Sequence, residues 1–217
     1  MWHTVIGIAI LIALVIAGIP LARRNKRAFK AHNDEMQSWA RTHGYNYAFE
    51  DGSQCDGLSF YPFGQSSPQY AHRVITGKYD ERTIAAYDFY FSTGGSTTGG
   101  GGDTYFAMIV MQLPAEVPWL HVTERKNLGR HADENPVITG DEAFDSVYAV
   151  FAGDPAYAKS AVSASVRSGL PAQSLSGMHV VDSRLFFWQT RRKHDVALLD
   201  DRLRFAATVA AELPATH

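Results

Sequence analysis

The sequence predicts an α+β protein, its domain built on a mainly antiparallel sheet with two helices in the C-terminal half, and the chain has three parts. These are an N-terminal transmembrane helix over residues 1–22, a basic collar and helical stalk over 23–43, and a single globular domain over 44–217. Three observations carry that expectation. The stretch from Val5 to Ala22 has no charged residue and would rise ~27 Å as a helix, just enough to span a bilayer core. Alternating apolar runs fill the middle of the chain, which is strand periodicity. Helical periodicity dominates the end, so strands and helices are segregated as in α+β domains rather than interleaved as in βαβ units.

The anchor has one competitor, a cleavable signal peptide. That reading needs cations before the apolar stretch and small residues at a cut site. Met1 to Thr4 carries no cation, and Ala22 is preceded by Pro20 and followed by Arg23-Arg24. An uncleaved span is the expectation. All five nearby cations (Arg23, Arg24, Lys26, Arg27 and Lys30) lie on its C-terminal side. Such cations stay cytoplasmic, so the N-terminus is expected outside and the domain in the cytoplasm, at the cell membrane. The same five are the expected contacts to the membrane surface, where each attracts anionic headgroups with about 1 kcal/mol.

Composition narrows the partners. Setting the five collar cations aside leaves 15 basic residues against the chain's 22 acidic ones. An acidic body lacks the basic face that nucleic acid requires. The expected partners are therefore the bilayer, anionic headgroups and an unidentified protein. Apolar residues make up 46 % and charged ones 19 %, a balance that builds a core and excludes wholesale disorder. Cys55 is the single cysteine, so no intrachain disulfide can form.

After the collar, residues 23–42 lack Pro and Gly, and Phe29, Met36, Trp39 and Ala40 fall near one helical face. Gly44 is the expected stop. Tyr45, Tyr47 and Phe49 then alternate as in a strand. A loop from Glu50 to Pro68 follows, and after it strands over 71–79, 83–91 and 104–113. In the second of these Ala85, Tyr87, Phe89 and Phe91 share one face, and Asp88 points to the other. The third is apolar on both faces and is expected at the centre of the sheet, covered on both sides. Between them the glycine-rich stretch from Gly94 to Gly102 reads as the tip of a hairpin.

Downstream, a short strand over 119–123, a polar excursion to Asp141 and a strand over 144–151 are expected. Asp154-Pro155 is a strong helix start, with Asp as the N-cap and Pro at the first position, and Gly169 is the expected end. A second hairpin over 178–189 turns at Ser183-Arg184. A last helix over 196–213 aligns Val196, Leu199, Leu203, Ala206, Ala210 and Leu213, and ends before Pro214.

No motif with a chemical mechanism survives inspection. The glycine tract lacks a Gly-Lys-Ser/Thr ending and joins two strands, so it is no phosphate loop. Cys55 as a thiol nucleophile would need His72 or His121 nearby, and no local signature supports it. His121, His131, Asp133 and Glu134 are the nearest approach to a metal set, without ligand spacing. Asp133-Glu134 and Asp200-Asp201 read as solvated surface. The segment Arg191 to His194 could touch a headgroup or an acidic partner, but reads better as a polar turn before the last helix. Neither a catalytic residue, a metal ligand nor a cofactor is expected.

The order of features resembles a family of small, single-span, membrane-anchored actinobacterial proteins built on a domain of unknown function. The residues that carry the resemblance are the Arg23-Arg24 collar, Trp39-Ala40, Gly44-Tyr45-Asn46-Tyr47, Pro62-Phe63-Gly64, Gly77-Lys78-Tyr79 and Ala86-Tyr87-Asp88. They continue with Phe144-Asp145, Tyr148, Val150, Asp154-Pro155 and Ala158. The resemblance implies a shared topology and domain, and no catalytic residue. The expected function is a membrane-tethered, non-catalytic binding or interaction domain that contacts protein or lipid through the glycine-rich tip or the basic segment near Arg191. The alternative is a membrane-anchored enzyme, a hydrolase or a thiol-dependent one.

Overall fold

The computed structural model describes residues 24, 26–65, 68–92, 103–128 and 134–214. The expected span, Arg23, the glycine tract, His131 and Asp133 lie outside the described residues. Among the described residues no helix is long and apolar enough to cross a membrane.

Eight strands form one antiparallel sheet. They are β1 (Asn46–Glu50), β2 (Gln69–Tyr79), β3 (Arg82–Ser92), β4 (Asp103–Gln112), β5 (Leu120–Glu124), β6 (Tyr148–Ala152), β7 (Gly177–Val181) and β8 (Arg184–Thr190). Their order across the sheet is β1-β2-β3-β4-β8-β7-β5-β6. Helix α1 covers residues 26–42. It is followed by α2 (Glu142–Val147), α3 (Pro155–Ala161), α4 (Ala164–Ala172) and α5 (Leu199–Glu212).

Period-two alternation gives the sheet two buried faces with different covers. One face contributes Ile84, Ala86, Ile109, Val122 and Phe187 to a core completed by Met36, Trp39 and Ala40 of α1 and by Leu199, Leu203 and Ala206 of α5. The other contributes Ala85, Tyr87, Phe89, Met108 and Trp188, roofed by Leu58 and Phe63 from the loop after β1. β4 pairs with β3 on one side and β8 on the other, and its residues from Phe106 to Ile109 are buried. That is the central, doubly covered strand its two apolar faces require.

The β3–β4 hairpin runs in unbroken register to Ser92 opposite Asp103. The β7–β8 hairpin turns at Asp182 and Ser183, with φ of +49° and +56°. Positive φ at both central residues is the turn whose twist matches the flanking strands.

Three expectations are corrected. Residues 144–147, expected as strand, belong to α2, because the Asp141 side chain accepts the Phe144 N–H and starts a helix there. Strand geometry begins at Tyr148. The single helix expected from Asp154 to Gly169 is two. Asp154 caps α3 as expected; the chain leaves helical geometry at Val162 (ψ +65°), and Ser163 caps α4. Gly169 is inside α4 and does not end it. A Cβ at Gly169 would stand 2.1 Å from the Phe205 ring, so this glycine permits α4 and α5 to approach. Finally, the last helix begins at Leu199, after a 3-10 turn over Val196–Leu198 capped by Asp195.

Candidate functional site

The charged residue that sequence alternation turns away from the aromatic face, Asp88, lies at the centre of the most heavily connected buried polar group. Its Oδ2 accepts from Arg73 Nε at 2.6 Å and lies 2.8 Å from His32 Nε2. Its Oδ1 accepts the His194 backbone N–H at 2.7 Å. His194 Nε2 in turn lies 2.8 Å from the Met108 carbonyl oxygen, which fixes that nitrogen as the donor. Four segments (α1, β2, β3 and the chain leading to α5) are thereby tied to one carboxylate.

Arg73 reaches Asp88 because β2 is irregular there. His72 pairs with Asp88 but Ile75 pairs with Ala86, so Arg73 and Val74 both stand opposite Tyr87. This is a β-bulge with one extra residue. Arg73 adopts φ +53°, a left-handed conformation that costs a non-glycine residue about 1 kcal/mol or more. Val74 keeps its place in the core beneath the loop roof, and the extra residue is aimed at the helix-covered face.

Electrostatics follow from burial and neighbours. Burial alone would raise the Asp88 carboxyl, but the His32 hydrogen bond, the charges of His194 and Arg73 and the His194 N–H together hold it at about 2. Burial pushes His194 down to about 4, against the attraction of Asp88. His194 is therefore neutral near pH 7 and takes up its proton only near 4, above the range where Asp88 itself titrates.

Beside this network sits a basic and aromatic patch at the start of α1. Phe29 is 41 % exposed and Phe49 46 %, and their rings meet edge to face with centroids 6.1 Å apart. The Arg73 guanidinium carbon lies 5.0 Å from the centre of the Phe29 ring, and Lys193 Nζ lies 5.5 Å from it. Lys193 also lies 4.8 Å from the Tyr105 ring. Burial lowers the Lys193 pKa, and the neighbouring Arg73 charge lowers it further. Arg24, Lys26, Arg27 and Lys30 are exposed. Lys30 bridges to Asp34 at 2.7 Å, an exposed pair worth a few tenths of a kcal/mol.

The remaining candidates fall elsewhere. Cys55 ends the 3-10 turn Gly52–Cys55. Burial, then the charges of Asp56 and Asp51, push its thiol up to about 12, the opposite of an activated nucleophile. His72 lies 3.4 Å from Glu50. His121 is buried against His179, their Nδ1 atoms 3.1 Å apart, with Trp188 stacked on His121 and Phe60 on His179. Among the described residues no group of three or more His, Cys, Asp or Glu side chains could hold a metal ion. Asp200 keeps half of its side chain exposed and lies within 3.5 Å of Trp39 Nε1 and 3.4 Å of His43 Nε2. The segment 191–194, expected as a polar turn, does turn at Arg191 (φ +58°), but His194 is buried and belongs to the Asp88 network.

A polar cavity of about 320 Å³ opens between β5, β7 and β8, lined by Glu124, Lys126, Asn127, Ser176, Thr190 and Arg191. Both Glu124 oxygens are engaged within it, one by Lys126 at 2.9 Å and the other by Asn127 at 3.0 Å. A carboxylate so occupied is a structural acceptor rather than a base.

Sequence reasoning missed Arg73 and His32, and placed His194 in a polar turn where the structure buries it beside Asp88. Asp88 carried the one available sign, a lone acid in an otherwise apolar strand, which demands a buried partner.

No family model and no curated protein matches the chain. Among solved structures, the chain is similar to the mycobacterial trehalose monomycolate transport factor A, TtfA, with a TM-score of 0.62 at 13 % identity. The match covers 85 % of this chain and 97 % of that one. Identity this low shows a shared fold alone, and the mycobacterial source of that neighbour is in keeping with the actinobacterial resemblance of the sequence.

Proposed function

We propose that this chain is a membrane-tethered, non-catalytic interaction domain, held at the inner face of the cell membrane by its N-terminal segment. The observation that carries the reading is the docking of α1. The helix that leads from the collar is fastened to the sheet by His32 on Asp88 and by buried Met36, Trp39 and Ala40. Each large apolar side chain buried this way contributes about 1.5–3 kcal/mol. Lys26, Arg27 and Lys30 of the collar thus lie on a helix docked to the body, and Phe29 sits among them on the same helix. Exposed aromatics beside cations are suited to an interfacial zone. The fold shared with a trehalose monomycolate transport factor supports a lipid-transport assembly as the setting. The elevated Cys55 thiol weighs against the thiol-enzyme alternative.

Membrane fractionation tests the tether. The full chain is expected in the membrane fraction through high-salt and alkaline washes, and a chain lacking residues 1–30 is expected folded in the soluble fraction. Full-length protein that is soluble, or truncated protein that stays on membranes, would overturn the reading. A reporter fused after His217 and found outside the cell would overturn the orientation.

A further inference from the structure

Arg73 spends one nitrogen on Asp88 and leaves two. Its side chain is fully buried, and neither Nη1 nor Nη2 has a hydrogen-bond partner. Leaving a buried guanidinium half-satisfied costs free energy that a native fold ordinarily recovers with a partner. Asp88 is the one carboxylate hydrogen-bonded to Arg73, and its two oxygens already serve Arg73 Nε, His32 and His194. Lys193, partly buried, adds a second cation on the other side of the Phe29 ring.

What occupies the space between the two cations is the ring of Phe29, whose centre is 5.0 Å from the Arg73 guanidinium carbon and 5.5 Å from Lys193 Nζ. A ring face is the weakest of the groups that satisfy a cation. Phe29 is itself 41 % exposed and near the start of α1, so its ring can rotate outward to solvent without leaving a cavity in the core.

We infer that the junction of α1, the β2 bulge and Lys193 is an anion site for a phosphate group, with the Phe29 ring as its displaceable cover. Arg73 presents its two Nη donors as a fork, the arrangement that engages two oxygens of a phosphate or carboxylate. Lys193 supplies a second charge from a flexible stem. The bulge is the device that makes this possible, since it turns a strand residue that would otherwise join the aromatic core toward the helix-covered face. Phosphate chemistry is common to free inorganic phosphate and to a phosphomonoester lipid headgroup, and the position beside the collar makes the headgroup sterically reachable. The site itself does not depend on the tether.

The test uses the full chain in a neutral detergent, titrated calorimetrically with inorganic phosphate and, in parallel, with nanodiscs of phosphatidylcholine with or without phosphatidic acid. Saturable binding is expected. Lys193→Gln should weaken it roughly tenfold, the loss of one charge-assisted contact. Arg73→Gln should abolish it. Phe29→Ala should tighten it severalfold, because the cover no longer competes. Lys193→Gln and Phe29→Ala leave the Arg73–Asp88 pair intact, so they decide the matter even where Arg73→Gln fails to fold. Saturation by free phosphate assigns a soluble anion. Saturation only by phosphatidic acid discs, with the same dependence on Lys193, assigns a headgroup. No saturable binding to either probe, or binding that Lys193→Gln and Phe29→Ala both leave unchanged, would overturn the site. The second outcome would leave binding to the collar alone.

Discussion

Arg73 and Asp88 are joined Nε to Oδ2 at 2.6 Å although Asp88 stands in register with His72, not with Arg73. The pairing exists because the bulge rotates Arg73 toward the same face. Both side chains have no exposed surface. A buried ion pair is weak evidence of net stabilisation, but removing one member leaves the other uncompensated. Asp88→Asn is therefore expected to destabilise the protein by about 3–5 kcal/mol, and also to free the first turns of α1 from the sheet. Denaturant titration measures the first, and amide exchange in residues 26–36 the second. An unchanged midpoint would show that the network is incidental.

Acid should unfold the protein in two stages whose sign is the same. His194 binds its proton at about 4 when folded and near 6.5 when unfolded. The unfolded chain takes up that proton first as pH falls. The stability that the neutral, buried ring confers is whole above about pH 6.5 and is lost down to about 4, a change of about 3 kcal/mol. Asp88, held at about 2, adds a second loss between about 4 and 2, of about 2–3 kcal/mol. His194→Gln, which keeps a donor toward the Met108 carbonyl, should flatten the first stage and shrink the second, because Asp88 then loses the His194 charge that helps hold its pKa down. Urea midpoints measured from pH 7 to pH 3 for both proteins check it.

Gly177 is fixed by close approach rather than by backbone freedom. A Cβ there would stand 2.3 Å from the Val122 carbonyl oxygen and 2.4 Å from the Trp188 ring. The first neighbour is sheet backbone and cannot yield. Gly177→Ala is expected to cost about 3 kcal/mol, the upper range for overpacking, as read from the thermal midpoint. A neutral outcome would mean that β5 and β7 are farther apart than the register Thr123 to Gly177 requires.

The β7–β8 turn points the other way. Ser183 holds φ +56°, a conformation glycine adopts without cost. Its carbonyl oxygen accepts from the Leu113 N–H at 2.7 Å, a bond that does not involve the side chain. Ser183→Gly, which makes the favoured Asp-Gly pair, should stabilise by about 0.5–1 kcal/mol, or roughly 1–4 °C in Tm for a chain of this length.

Cys55 should be inert while the protein is folded. With its thiol pushed up to about 12, the thiolate fraction at pH 8 is roughly a thousandfold below that of a free cysteine. Alkylation should be slow in the native protein and fast in denaturant. Rapid native labelling would reopen the thiol-enzyme alternative.

The legible part of this fold is the part governed by side-chain periodicity. The two aromatic-rich strands, their shared face through Ala85, Tyr87, Phe89 and Phe91 and the central position of β4 follow from alternation, because burial on one or both faces is written in every second residue. The Asp154 cap was legible for the same local reason. The errors sit where two local rules compete. Phe144 to Phe151 alternates apolar residues like a strand, but the Asp141 cap four residues before Asp145 commits its first half to helix. Gly169 looks like a helix end until Phe205 is brought against it.

By itself, then, the amino-acid order determined the mainly antiparallel α+β class, the central strand and the basic collar, since each depends on residues near one another in the chain. The tertiary structure alone decided that Asp88 would meet His32 and His194, which are 56 and 106 residues away. It also decided that a bulge would turn Arg73 toward them. Long-range pairing of buried charge is set by which faces the sheet and helices close upon. No local pattern encodes that closure; an isolated acid in an apolar strand states only that some partner must exist.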